Sequence, residues 1–595
     1  MDISRDWTEL YKIWITGGAM VLALVWAFLP RRVSRGALVA LLLVAMGNYA
    51  RFGPLVPTMR VDVYDNIHYY LNAKYFDELG YYDLYPAILL VATENGGPIR
   101  ESGPQYMAQD ANGHQFRPIS HGVGRGRQVR KEKFSDERWE AFTHDALHLL
   151  RTRGCMSKNR DGSCRAELSE GMWREMIQDH GFNGTTAWTL VAEPITQVVP
   201  VEAIKLLGYL DVVLLGAAIG AVWWAYGGTA AGFTTLFLFT TYSTRWPTLS
   251  WVFLRYDWVA ALLFATALLR KGKPLAAGMF AGWAATLRFF PAMWMWGPLG
   301  KGVMGLFRKH VHKQLLVFAG GFLLCVGLLQ GAVQVRYGSE PVAVHLENML
   351  DHNDPMQLSS RRIGLAQALS HMEGGKLHKY ITTRQKKLIE KQKPLRYGLA
   401  LVVMMGIFTG VRRARDDEAY ALGFLPFYLL TTASYYYYVA RIPLVVVHAG
   451  DLHRLRNRVG LAFLFGLETL SHLAQVYEPD FRMVLIGYLA IGLAVYSVGA
   501  VVWLHVEAWR GEDAPEEPAP AEVAPMTPPR WAVVGLLGLV GYVALAVGMM
   551  NHRRLPGLLE VFAGSGHMTW YIVGTLLLTG AVAALWTPKV EAAPQ

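Results

Sequence analysis

Cysteine is nearly absent, with three residues in 595, at positions 155, 164 and 325. That excludes a disulfide-rich secreted scaffold. Charge is scarce too: Asp, Glu, Lys and Arg make up 17% of the chain, against about 25% in ordinary soluble proteins. No Walker A loop, Rossmann glycine pattern or Ser-His-Asp signature occurs in a credible context. No internal repeat is visible, which weakens transporter readings built on duplicated halves. What the chain does have is apolar surface. AVILMFWYC reaches 53%, and 19 Trp, 28 Tyr and 25 Phe form the aromatic load that collects at membrane interfaces. Disorder and collagen are excluded as well. The composition is that of a polytopic membrane protein.

Apolar runs near the 17–25 residues that cross a bilayer lie at 12–29, 36–50, 203–225, 228–244, 250–269, 314–335, 396–411, 417–434, 436–450, 459–477, 482–507, 531–550 and 569–587. The first lacks a small-residue cleavage site and is followed at once by the second, so both are expected to be retained spans. The net charge of +11 could suggest nucleic acid, but its position excludes that partner. Basic residues gather in short connections: Arg31/Arg32/Arg35, Arg270/Lys271/Lys273, Arg308/Lys309/Lys313, Arg412/Arg413/Arg415 and Arg454/Arg456/Arg458. Placed inside, they satisfy the positive-inside rule and put the polar stretches 53–200 and 336–395 outside.

The expected fold is therefore an all-α polytopic membrane protein of about 13 spans with a mainly helical outer loop domain. Its parts are an N-terminal pair of spans (1–52), the outer loop (53–200), a membrane core (203–507), a Pro/Ala/Glu-rich inner linker (511–529) and a C-terminal hairpin (531–595). One segment breaks the spanning pattern. Residues 274–300 are flanked by basic residues at both ends and interrupted by Arg288 and Pro291. Proline breaks a continuous helix, so a half-membrane hairpin with Arg288 near its tip is expected. Within the outer loop, helices are expected at 136–153 and 167–180. Between them Cys155 and Cys164 flank a Gly/Asn/Asp/Ser-rich turn and are expected to form a disulfide.

The most informative stretch is VDVYDNIHYYLNAKYFDELGYYDLYPAILL, residues 61–90. If it is helical from Asp65, then Asp65, His68, Tyr69 and Asn72 share one face. An acidic group, its orienting partners and aromatic surface would then sit at the membrane boundary. The bland reading is an interfacial amphipathic helix capped by its Asp.

These residues resemble the GT-C superfamily of integral-membrane glycosyltransferases. The pattern D-x-x-x-Y-Y, from Asp65 to Tyr69–Tyr70, and the later Gly80, Leu84 and Tyr85 look like the first outer loop of bacterial polyprenyl-phosphate-mannose-dependent mannosyltransferases. The Arg288–Pro291 half-hairpin and SYYYYVARIPL (434–444) are similar to further features of that family. The resemblance implies an inverting hexosyl- or pentosyltransferase of the cell envelope, multi-pass in the plasma (inner) membrane, with its active site on the outer face. Its partners would be membrane lipids, a polyprenyl-phosphate sugar donor and a lipid- or glycan-linked acceptor. Asp65 would be the base, with Asp62 and His68 beside it. The insertion at 95–200 departs from the family pattern. So does the D-x-x-D spacing of Asp62 and Asp65, which leaves dependence on a divalent metal open.

Arginines support the same expectation independently. An Arg near mid-helix costs about 2.5–3.5 kcal/mol on insertion scales, so it faces protein or a cavity. Arg245, Arg255, Arg288 and Arg441 fall on the expected outer side and suit a lipid-linked phosphate. The rival is internal salt bridging, with Asp257 available to Arg255. Further candidates to line the substrate are Asn183, Trp188, His345, Arg361 and Tyr438. His144 and His148 stand four residues apart but lack a third metal ligand. Two other function classes remain: a transporter or flippase of lipid-linked glycans, or a scaffold subunit of an envelope complex. A transporter would need a polar path, for which Glu202, Asp211, Asp257 and Glu468 are the few acidic residues within the spans.

Overall fold

The computed structural model describes residues 3–49, 63–95, 105–110, 113–151, 176–179, 181–244, 253–353, 362–372, 383–477 and 489–510. The C-terminal linker and hairpin, the Cys155–Cys164 pair and most of the 167–180 helix lie outside them, as do Asp62, Arg245 and Arg361. Helices dominate the described residues. Five are long and apolar enough to cross a membrane: Thr8–Phe28, Val201–Tyr226, Lys313–Tyr337, Lys387–Arg413 and Leu489–Arg510. The chain is a helical membrane protein.

Several expected runs take a more broken form. The 417–434 and 436–450 runs are built from Asp416–Ala421, Phe424–Leu430, a 3-10 segment Tyr435–Arg441 and Ile442–Ala449. Pro426 and Pro443 each lack the N–H that a longer helix would need there. The loop domain holds a feature the sequence pattern did not announce. It is a β-hairpin pairing Gln105–Asp110 with Gly113–Pro118. The helix expected at 136–153 runs from Asp136 to Arg151.

Two hydrophobic cores meet in the molecule. The larger belongs to the helix bundle, where Ile3–Val25 packs on Leu455–Tyr477 and Asp257–Arg270 packs on Pro274–Arg288 and Ile204–Tyr226. The smaller gathers residues of 63–92, the loop-domain helices, and Phe253, Leu254 and Leu287. The site described below sits at this junction.

Residues 274–307 form helix Pro274–Arg288, a 3-10 segment Phe290–Met295 and helix Trp296–Phe307. Arg288 is the last residue of the first helix, and Phe289 turns the chain at φ +31°. Pro291 then prevents the α-helix from resuming at once. The first helix lies tightly against Lys313–Tyr337 because its packing face is glycine. A Cβ on Gly278 would stand 2.1 Å from the Phe318 carbonyl oxygen. Small residues four apart allow this close approach in membrane bundles. Cys325 of the second helix is a buried free thiol packed opposite Gly282.

The basic connections at 412–415 and 454–458 converge. Glu418 receives Arg456 at 2.9 Å and Arg415 at 3.1 Å, Arg456 also reaches Glu507 at 2.7 Å, and Lys301 pairs with Asp416 at 2.6 Å. The Tyr226 hydroxyl joins them through Asp417 at 2.5 Å. Tyr226 ends the helix that carries Asp211 near its start, so this network lies about 20 Å along the bundle from Asp211.

Candidate functional site

The Asp65 segment begins as one α-turn, Val63–Asn66, and continues as a π-helix over Ile67–Leu71. A π turn is wider than an α turn, so the residues beyond it rotate away from the α-helical register. The expected single face of Asp65, His68, Tyr69 and Asn72 is split by this turn. Asp65 forms an ion pair with Arg255. His68 Nδ1 donates to the Tyr64 carbonyl at 2.7 Å, so Nε2 accepts from the Tyr85 hydroxyl at 2.6 Å. Tyr69 donates to Asn183 at 3.0 Å, and its ring lies 5.7 Å from the Arg288 guanidinium. Asn72 turns back to the Gly80 carbonyl at 3.0 Å and belongs to the loop rather than the site.

Arg255 is positioned by its own backbone. Asp211 accepts the N–H of Arg255 at 2.8 Å and of Tyr256 at 3.0 Å. Trp188 Nε1 donates to the Leu254 carbonyl, and Trp258 Nε1 to the Arg255 carbonyl, both at 2.9 Å. Leu254 is held at φ +45°. Both arginines therefore adjoin a non-glycine residue in the left-handed region, Leu254 before Arg255 and Phe289 after Arg288. Such strain persists only where surrounding contacts over-determine it, and it clusters at functional sites.

The two guanidiniums share aromatic neighbours. Arg255 lies 4.8 Å over the Tyr436 ring, and Tyr436 and Tyr437 are 4.6 Å apart. The charge of Arg288 acts on Tyr69, Tyr437, Asp257 and Tyr436. Asp65, Arg255, Arg288, Tyr69, Asp257 and Asn183 are thus brought together. Trp188 supports them from behind, fully buried with its ring 5.1 Å from Tyr69.

Other expected site residues do not join. The Tyr438 hydroxyl donates to the Ile363 carbonyl at 2.7 Å, and its ring is fully buried. Arg441 is likewise fully buried, paired with Glu468 and bonded to Thr241 Oγ1 at 3.1 Å. It neutralises a carboxylate inside the bundle and does not meet Arg255 or Arg288. Tyr436 and Tyr437 take the place expected of Tyr438. The 3-10 winding has three residues per turn, so Tyr435 and Tyr438 turn inward and the two between them outward. A four-tyrosine run gives no hint of that phase.

Three of the four acidic residues weighed as a transport path are engaged elsewhere, and the fourth, Asp257, accepts the Trp258 N–H. Asp211 holds the Arg255 backbone, Glu468 holds Arg441, and Glu202 meets His144 at 3.2 Å. His144 also contacts Asp145 at 3.2 Å. Among the described residues no group of three His, Cys, Asp or Glu could hold a metal ion.

His345, on helix Glu340–Asn353, is buried with its ring 5.7 Å from Tyr81, and neither ring nitrogen has a hydrogen-bond partner. Burial, reinforced by the charge of Arg288, pushes its pKa down to about 4. The unfolded chain therefore takes up this proton near pH 6.5 and the folded chain only near 4. Stability should fall as pH drops through that window, by about 3 kcal/mol in all. Unfolding midpoints in detergent between pH 7 and 4 check this: His345→Gln should lose less stability on acidification than the wild type.

No protein-family model, curated protein or solved structure matches this chain.

Proposed function

We propose that the chain is a GT-C-like membrane glycosyltransferase moving a sugar from a polyprenyl-phosphate donor to a lipid- or glycan-linked acceptor on the outer face. The observation that carries this reading is the convergence of Arg255 and Arg288 beside Asp65, on a shared floor of Tyr69, Tyr436 and Tyr437. The basic cluster around Glu418 is matched by carboxylates. Arg288, by contrast, has no carboxylate within ion-pair distance among the described residues and meets the charge of Asp257 only at longer range, which leaves it able to receive an anion from outside the chain.

In the reaction, the acceptor hydroxyl attacks the anomeric carbon, and the bond from that carbon to the phosphate oxygen breaks. Asp65 takes the hydroxyl proton. The charge left on the polyprenyl phosphate is stabilised by the two guanidiniums, which form strong charge-assisted hydrogen bonds with phosphate oxygens. Asp65 and the donor phosphate compete for Arg255, so donor arrival frees the carboxylate to act as base. The hydrocarbon tail explains the membrane setting, at about 0.8 kcal/mol per buried CH₂.

The test is sugar transfer by the purified full chain in detergent, with a polyprenyl-phosphate donor radiolabelled in the sugar and a lipid extract as acceptor. Label should pass to the acceptor, and bare polyprenyl phosphate should appear with it. Arg255→Gln should raise the donor KM about 10- to 100-fold, the equivalent of losing one charge-assisted contact. A chain that carries the intact labelled lipid across proteoliposomes and never cleaves it is a flippase, and the transferase reading fails.

A further inference from the structure

The site holds more unsatisfied polarity than phosphate binding explains. Asp257 is 5% exposed and His345 9%. Asp257 Oδ1 accepts the N–H of Trp258 at 2.7 Å, but Oδ2 has no partner, and neither does either nitrogen of His345. Buried polar atoms in folded proteins are almost always paired, so each orphan asks for an explanation. A run of packed aromatic rings connects the surroundings of these two. His345 packs 5.7 Å from Tyr81, Tyr81 stacks on Phe182 at 5.6 Å, and Phe182 meets Tyr69 at 6.0 Å. Tyr69 in turn carries Arg288, whose charge also reaches Asp257 and His345.

The chemistry of this set differs from that at Arg255. A carboxylate facing the ligand repels phosphate. The same carboxylate accepts strongly from a hydroxyl. A neutral imidazole can donate from one nitrogen and accept at the other, which matches a hydroxyl's own double character. Arg288 contributes donors only, and Tyr69 an aromatic face. Mixed donors and acceptors around such a face suit a ring bearing several hydroxyl groups.

We infer that Asp257, His345, Arg288 and the Tyr69 ring form a sugar subsite that reads the hydroxyl groups of the transferred ring, while Arg255 holds the phosphate. This rests on the transferase reading above and adds where the sugar sits. His345 and Asp257 are then specificity-determining residues, and Arg288 borders both subsites.

The test compares two probes on the purified full chain: decaprenyl phosphate, and the same lipid phosphate esterified with mannose, glucose or arabinose. Binding of each is measured directly, and the ratio of affinities reports the contribution of the sugar. The wild type should prefer at least one glycosylated lipid over the bare lipid by about tenfold or more. Asp257→Asn and His345→Ala should each cut that preference to about threefold or less, with affinity for bare decaprenyl phosphate retained. His345→Gln keeps a neutral donor and acceptor of similar reach and should restore part of it, which also guards against a variant that does not fold. If folded Asp257→Asn and His345→Ala proteins keep the full preference, or the wild type shows none, the subsite is wrong and the transferase reading survives. If the wild type binds neither lipid, the transferase reading itself falls, and the subsite with it.

Discussion

Asp65→Asn should lower sugar transfer by about 10²–10⁴-fold, the usual contribution of a positioned general base, while donor binding stays largely intact. The asparagine keeps the shape of the side chain but cannot take a proton. It also releases Arg255 from its ion pair, so donor affinity should hold or rise slightly. That combination separates loss of a base from loss of structure: kcat falls while the donor KM does not rise. Asp62→Asn should do less. If Asp65→Asn transfers sugar at the wild-type rate, the proton goes elsewhere. If Asp62→Asn then abolishes transfer, the base lies three residues earlier.

The second large effect is expected on stability, at a residue first placed with the donor. Arg441 and Glu468 are both fully buried, and Glu468 also accepts from the Tyr242 N–H and the Thr241 hydroxyl. Glu468→Gln leaves the guanidinium uncompensated, and breaking a buried pair this way costs about 3–5 kcal/mol. Arg441→Met with Glu468→Leu removes both charges and should recover much of that loss. The recovery should be incomplete, because the Tyr242 N–H is then orphaned at a cost of about 1–3 kcal/mol. Thermal unfolding in detergent reads all of these. A Glu468→Gln protein as stable as the wild type but unable to bind donor would return Arg441 to the phosphate site.

The sequence carries some of this arrangement openly. A basic residue shortly before a proline, in a segment too short to cross twice, marks the helix break at Arg288. An arginine beside an aspartate at the head of an apolar run marks Arg255. Both signals are local, and so they can be read from one chain. What could not be read depends on winding and on distant partners. The π turn at 67–71 has no residue signature that separates it from an α turn, yet it divides Asp65 from His68 and Asn72. The 3-10 phase of the tyrosine run decides that Tyr436 and Tyr437, not Tyr438, face the arginines. The partner of Arg441 is 27 positions away on another helix, and that of Asp65 is 190 away. Spacing says nothing about either pairing. The same holds for Asp211, whose two backbone hydrogen bonds shape the Arg255 bend from 44 residues upstream.

The most direct measurement is an experimental structure of the full chain in lipid with polyprenyl phosphate bound. The phosphate is expected between Arg255 and Arg288, over Tyr69 and Tyr436, with Asp65 released from Arg255 and Arg441 still paired to Glu468. A phosphate seated instead in the basic cluster of Arg454 and Arg456, at the far end of the bundle, would contradict the proposed site.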